Sequence, residues 1–163
     1  MRERIAVAFL VGFSFGCSSS DAPLNFNGEY SGKSTNAANT CPGQFPPGQM
    51  VDGQVILTQN GEDVQFQTQG ATSIVFLVTF GSVSFSGKIA GSHTEAVIVG
   101  SVAGREGTCS FTWTGKLSAD LAGDTLTGTL TATPNTNGDP DCDTQRVTGC
   151  SRVTNFNYTR LPR

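Results

Sequence analysis

Charge is scarce in this sequence: Asp, Glu, Lys and Arg make up 14% of its 163 residues, and the net charge is −3. A nucleic-acid binder needs a basic footprint to displace counterions from phosphate, so nucleic acid is not an expected partner. Amphipathic blocks of Ala, Leu, Glu and Lys are missing, which argues against a helical domain. Among the five cysteines no Cys-x-x-Cys pair occurs, so a zinc site is not expected. Residues 28–163 contain no Gly-x-Ser-x-Gly or comparable nucleophile turn either. The single histidine, His93, lies two residues before Glu95, a carboxylate able to orient an imidazole, but the sequence offers this pair no nucleophile. Gly28-Glu-Tyr-Ser-Gly32-Lys33-Ser34 is one residue short of a phosphate loop and opens a strand where that loop must lead into a helix. The sequence therefore predicts a non-enzyme with no cofactor.

What is present is glycine, serine, threonine and two-residue alternation. Val83, Phe85, Gly87 and Ile89 alternate with small polar residues and Lys88; so do Phe111, Trp113, Gly115 and Leu117, and then Leu126, Gly128 and Leu130. One face in a core and one in water is the pattern of antiparallel sheet. Asn60-Gly61 between two such runs is a hairpin signal. Strands are predicted at roughly 28–38, 51–59, 63–69, 73–80, 82–90, 94–103, 108–118, 124–133 and 146–160. Eight or nine strands with short connections suit an up-and-down barrel, which removes exposed edges, with a β-sandwich as the alternative. A large apolar residue recurs two positions before a glycine at Tyr30, Phe85, Trp113 and Leu126. Such glycines let strands bend sharply while a large neighbour covers the gap.

The N-terminus has its own logic. Met1-Arg2-Glu3-Arg4 is a short charged region, and residues 5–16 form an apolar stretch too short to span a bilayer. Ser14-Phe15-Gly16-Cys17, a small residue before a cysteine at the end of such a stretch, resembles the bacterial lipobox. That resemblance implies a signal peptide at 1–16, diacylation of Cys17 and an anchor and tether at 17–27. A plain secretory signal cut before Asp21 is the alternative. Cysteine parity favours the lipobox, because acylating Cys17 leaves four cysteines to pair in an oxidising compartment. Ser18 after the cysteine implies, by analogy with such lipoproteins, sorting to the outer membrane.

Residues 28–163 form the predicted barrel domain. Gly28-Glu29-Tyr30 opens its first strand and Arg160 closes its last. This resembles the lipocalin/calycin arrangement, in which a Gly-x-Trp on the first strand packs under an arginine from the last; Tyr30 stands where the tryptophan would. The resemblance implies antiparallel first and last strands with Tyr30 near Arg160. On that closure Cys41 falls near Cys150 and Cys109 near Cys142, and the pairing Cys142–Cys150 with Cys41–Cys109 stays open beside it. It also implies a barrel mouth for a small apolar ligand, with Phe66, Phe76, Phe85 and Trp113 as ligand-facing side chains. Those residues, with Leu117 and Leu126, can instead simply fill a small barrel.

Two loops complete the reading. Asp139, Asp141 and Asp143 alternate in a Pro/Gly-rich stretch, a grouping that suits Ca²⁺; Thr144 holds the loop position where glycine is needed and no closing Glu follows. A solvated acidic loop is expected, and no metal. Cys41 to Met50 carries Pro42, Pro46 and Pro47, which limit its unbound freedom, and Phe45 and Met50 offer apolar contact to a protein partner. The chain is thus read as a monomeric cell-envelope lipoprotein with a non-catalytic binding role. A protein-interaction or inhibitor module using the 41–50 loop is the alternative.

Overall fold

The computed structural model describes residues 24–43 and 46–162; the signal peptide, Cys17, the first part of the tether and Phe45 lie outside the described residues. The elements run β1 (Gly28–Asn39), β2 (Met50–Asn60), β3 (Asp63–Gln69), α1 (Gly70–Phe80), β4 (Ser84–Ala90), β5 (His93–Val99), β6 (Gly104–Glu106), β7 (Cys109–Ala122), β8 (Thr125–Thr136), α2 (Asp141–Thr144) and β9 (Arg152–Arg160). Successive strands pair antiparallel except β5 and β6; β5 pairs with β7 instead, and β9 returns to β1. The result is a closed eight-stranded antiparallel barrel with β6 as an extra short strand on β7. Closure satisfies the backbone groups that an open sheet would leave at its edges.

Alternation sets which side chains enter the barrel. In β5, Thr94, Ala96 and Ile98 are buried while Glu95, Val97 and Val99 face outward. Val64, Phe66 and Thr68 repeat this in β3. Some strand glycines fill a spatial need. The Tyr158 side chain crosses over Gly32 and Gly53, and a Cβ at Gly53 would lie 2.1 Å from its hydroxyl. The cover over these two glycines comes from β9 and not from the large residue two positions earlier on the glycine's own strand.

One pole is closed. It holds the tight turns 61–62, 91–92 and 123–124 and the start of β1. Phe26, fully buried, plugs it, and its N–H donates to Gln59 Oε1 at 2.7 Å. Arg160 lies over the Tyr30 ring at 5.2 Å and donates to its hydroxyl from Nε at 2.9 Å and from Nη2 at 2.6 Å. Tyr30 Oη in turn donates to Phe26 O at 3.0 Å, so first strand, last strand and tether are tied at one point. Burial raises the Tyr30 pKa against the opposing pull of Arg160.

The other pole carries the long connections, α1 and both disulfides, Cys41–Cys150 and Cys109–Cys142. Cys109, Cys142 and Val147 form a small second core under the 137–151 loop, with Phe111 against it.

Three strand predictions are corrected. Residues 73–80 are helical, within α1. Their Ile, Val, Phe and Thr content favours strand intrinsically, but β3 pairs directly with β4 through Phe66↔Phe85. The chain from Gln69 to Ser84 must therefore cross the barrel end and return, with no neighbouring edge to join. A helix satisfies its backbone internally, and Gly81 ends it in the left-handed region at φ 74°, donating to Leu77 O. The run at 94–103 stops at Val99, and its continuation forms only β6. The run at 146–160 is strand only from Arg152, because the chain before it turns around Cys142 and Val147.

Candidate functional site

Between α1 and the barrel interior lies a cavity of about 250 Å³. Helical spacing decides which residues roof it: Thr72, Phe76, Thr79 and Phe80 face inward, Val75 borders the cavity while 46% exposed, and Ile74, Leu77 and Val78 face solvent. The aromatic rings join roof to wall. Phe76 lies 5.3 Å from Phe85 and 5.5 Å from Phe80, and Phe80 lies 6.3 Å from Phe85. Phe66, Leu126, Phe156 and Tyr158 complete the lower wall. Phe156 and Tyr158 stack at 5.2 Å.

Polar groups are few and placed by β1 and β9. The inward positions of β9 read, from the mouth downward, Arg152, Thr154, Phe156 and Tyr158. Charge gives way to hydroxyl and then to aromatic. Ser34 of β1 and Tyr158 share a hydrogen bond of 2.5 Å between their hydroxyls in the buried wall. Burial raises the Tyr158 pKa, opposed by that bond. Arg152 stands at the mouth with its guanidinium 4.6 Å above the Trp113 ring and Nη2 donating to Pro42 O at 3.1 Å. Burial lowers its pKa by disfavouring the charged form. Asn36, Gln49 and Val51 make the facing rim.

Of the residues singled out in the sequence, Phe66, Phe76 and Phe85 line this cavity. Trp113 does not; it sits beneath Arg152 in a separate, more polar recess beside Cys41 and Cys150. Met50 is 66% exposed at the start of β2. Arg152, Ser34 and Tyr158 were not singled out as cavity residues. The alternation of β9, Arg-x-Thr-x-Phe-x-Tyr, is the signal that marks them, once its inward phase is known.

Asp139 and Asp141 serve the rim loop. Asp141 Oδ2 accepts from the Thr108 N–H and from its hydroxyl, both at 2.9 Å, and Asp139 Oδ1 accepts from the same hydroxyl at 2.8 Å. No cluster of three or more His, Cys, Asp or Glu side chains able to hold a metal occurs among the described residues. The Thr108 bonds, the backbone one first, hold the Asp141 carboxyl below its usual range. A depressed folded-state value means that this contribution is present above the ordinary aspartate pKa of about 4 and is lost as pH falls through the lowered value. Acidification is therefore expected to deprotect the Thr108 amide before the barrel core, and Asp141→Asn to weaken that protection already at neutral pH. Hydrogen exchange followed against pH checks this; identical Thr108 protection in both proteins at all pH values would remove the carboxylate from this role.

His93 meets partners that the sequence could not supply. Its Nδ1–H donates to Asp120 Oδ1 at 2.9 Å, and Ser118 Oγ lies 3.5 Å from Nε2, with Glu95 Oε1 at 3.9 Å. Acid, imidazole and hydroxyl thus stand in the order of a hydrolase triad. They lie on the outer face of β5 and β7, however, away from the cavity. The Ser118 backbone is paired on both sides, with Glu95 and Thr129, so its amide is committed to the barrel wall and not to an oxyanion. The group is a surface hydrogen-bonded cluster of the kind a sheet face carries.

No family model matches this chain, and no curated protein or solved structure matches it.

Proposed function

We propose that this chain is a cell-envelope lipoprotein, anchored at Cys17 and probing its surroundings through a non-catalytic, lipocalin-like barrel that takes a small apolar ligand beneath α1. The observation that carries the reading is the apolar cavity roofed by Phe76 and Phe80 and open at a rim bearing only a few polar groups. Concave, mostly apolar sites with sparse convergent polar groups are what small-molecule pockets look like. A cavity of about 250 Å³ lies just below the roughly 300–1,000 Å³ usual for drug-sized ligands, so the ligand is small.

Leu24 and the mouth lie at opposite poles of the barrel. Leu24 N–H donates to Gly91 O at 3.2 Å, so the tether meets the barrel at its closed end. Seven residues back from Leu24 lies Cys17, a reach of at most about 25 Å when extended. An acylated Cys17 thus holds the closed pole toward its membrane, outer by the Ser18 reading, and leaves the mouth facing away.

A second reading, a protein-interaction module, draws on the solvent-facing apolar residues of α1, where Ile74 and Val78 are 64% and 65% exposed. Such a patch is suited to a protein surface. One experiment separates the readings. Protein extracted from membranes is expected to carry an acyl mass that Cys17→Ser abolishes, and to bind a neutral fluorescent apolar probe. Leu130→Trp, which places an indole into the cavity wall, is expected to weaken the probe at least about tenfold, as filling an apolar pocket removes the buried area that drives binding. A soluble wild type beginning at Asp21 sinks the anchor, and probe binding indifferent to Leu130→Trp sinks the cavity.

A further inference from the structure

Resting on the cavity reading above, we infer that the ligand is an uncharged molecule with one carbonyl-type acceptor, which takes the hydrogen that the Ser34–Tyr158 hydroxyl pair leaves over in the cavity wall. Both residues line the cavity, and their oxygens lie 2.5 Å apart. Two hydroxyls carry two protons, and the bond between them uses one. Whichever oxygen donates, the other keeps an O–H. Neither hydroxyl has a further hydrogen-bond partner among the described residues.

The other buried hydroxyls leave no proton over. Thr68 donates to Val83 O at 3.2 Å, Thr94 to Lys88 O at 2.9 Å and Tyr30 to Phe26 O at 3.0 Å. Each ends on a main-chain carbonyl, as buried polar groups generally find a partner. The Ser34–Tyr158 pair has no such carbonyl and borders the cavity instead. Ser34 is 6% and Tyr158 8% exposed, so bulk water does not serve them. Burial also raises the Tyr158 pKa, so the phenol keeps its proton at neutral pH and the pair remains a donor.

The wall is shaped around this pair. Tyr158 reaches Ser34 because Gly53 carries no side chain, since a Cβ there would lie 2.1 Å from the phenol oxygen. The neighbouring lining is apolar, with Val55, Phe66 and Phe156 in the wall and Phe76 and Phe80 in the roof. The Thr72 hydroxyl in the roof is spent on Asp52 O, and those of Thr79 and Thr154 belong to half-buried residues that solvent reaches. One buried donor among apolar walls selects one acceptor. A ketone or ester oxygen meets it and brings no proton of its own to be left unpaired, whereas a hydrocarbon leaves the O–H unmet. A carboxylate would have to shed its water against apolar side chains.

The test uses cyclooctanone and methylenecyclooctane, which differ by an oxygen against a methylene, as competitors of the neutral fluorescent probe on the purified chain. The carbonyl stretch of bound cyclooctanone is expected to fall below its frequency in hydrocarbon solvent. The double variant Ser34→Ala with Tyr158→Phe replaces both partners by apolar groups of matching shape. It is expected to abolish that shift and to weaken cyclooctanone at least about tenfold relative to methylenecyclooctane. Each single variant is expected to keep part of the shift, because the remaining hydroxyl still has a proton to give. A carbonyl bound at its hydrocarbon frequency, a shift that survives in the double variant, or binding of methylenecyclooctane alone overturns the acceptor assignment and leaves the cavity reading standing. If neither compound binds, the cavity reading itself falls. The infrared measurement on the wild type decides the matter even where the double variant perturbs the fold.

Discussion

Replacing Cys41 and Cys150 by alanine is expected to destabilise the domain by about 4–5 kcal/mol, against about 3–4 kcal/mol for Cys109 and Cys142. The difference lies in the unfolded chain. The first bridge closes a sequence separation of 109 residues and the second one of 33, and the entropy a crosslink removes from the unfolded ensemble grows with the logarithm of that loop. For a small domain whose whole stability is of order 5–15 kcal/mol, loss of the first bridge removes a large share. The native states differ too. Cys41–Cys150 joins the end of β1 to the approach to β9, where the barrel closes, so its loss frees the seam at the mouth beside Arg152. Cys109–Cys142 fastens only the 137–151 loop to β7. Urea unfolding of the two double variants checks the order. Equal losses would mean that the unfolded chain retains structure between Cys41 and Cys150.

Phe85→Ala is expected to cost about 3–5 kcal/mol and to loosen α1 before the rest of the barrel. Phe85 is 1% exposed, pairs with Phe66 across β3 and β4, and receives Phe76 and Phe80 from the helix. Truncation removes the ring on which the roof is seated and leaves a void continuous with the existing cavity. Beyond these rings the roof is held at its two ends, where the Thr72 hydroxyl donates to Asp52 O at 3.1 Å and the Ser101 N–H donates to Phe80 O at 2.8 Å, while Ile74, Leu77 and Val78 face solvent. Amide exchange in α1 is expected to accelerate more than exchange in β7 and β8. Uniform acceleration across all elements would show instead that Phe85 supports the barrel as a whole and not the roof.

The barrel wall was legible because its physics is local. A strand with one face inside and one in water writes its phase every two residues, and Phe85, Gly87 and Ile89 are inward as the alternation implies. Asn60-Gly61 was legible as a turn because Gly61 adopts a φ of 62°, which glycine accepts without strain. The packing of Arg160 on Tyr30 followed from a resemblance at the two chain ends and not from any local pattern. The site was harder to read. Phe66, Phe76 and Phe85 were found by size and apolarity, and that criterion also admitted Trp113, which lies outside the cavity. It passed over Arg152, because a polar residue at a strand start reads as solvated until the barrel is closed around it.

The all-β wall, most of its strand phases and most of its turns could be read from residue order alone, because each depends on neighbours within a few residues. That residues 73–80 coil into a roof follows from barrel closure and not from their composition. That run has the composition of a strand, but β3 and β4 already pair with each other, and the segment between them has no edge left to join. The same closure decided the chemistry of the mouth. It brings Arg152 at one end of the chain over Trp113 in the middle and sets Ser34 against Tyr158 across a separation of 124 residues. Contacts at such separations have no local signature, since what creates them is the return of the last strand to the first.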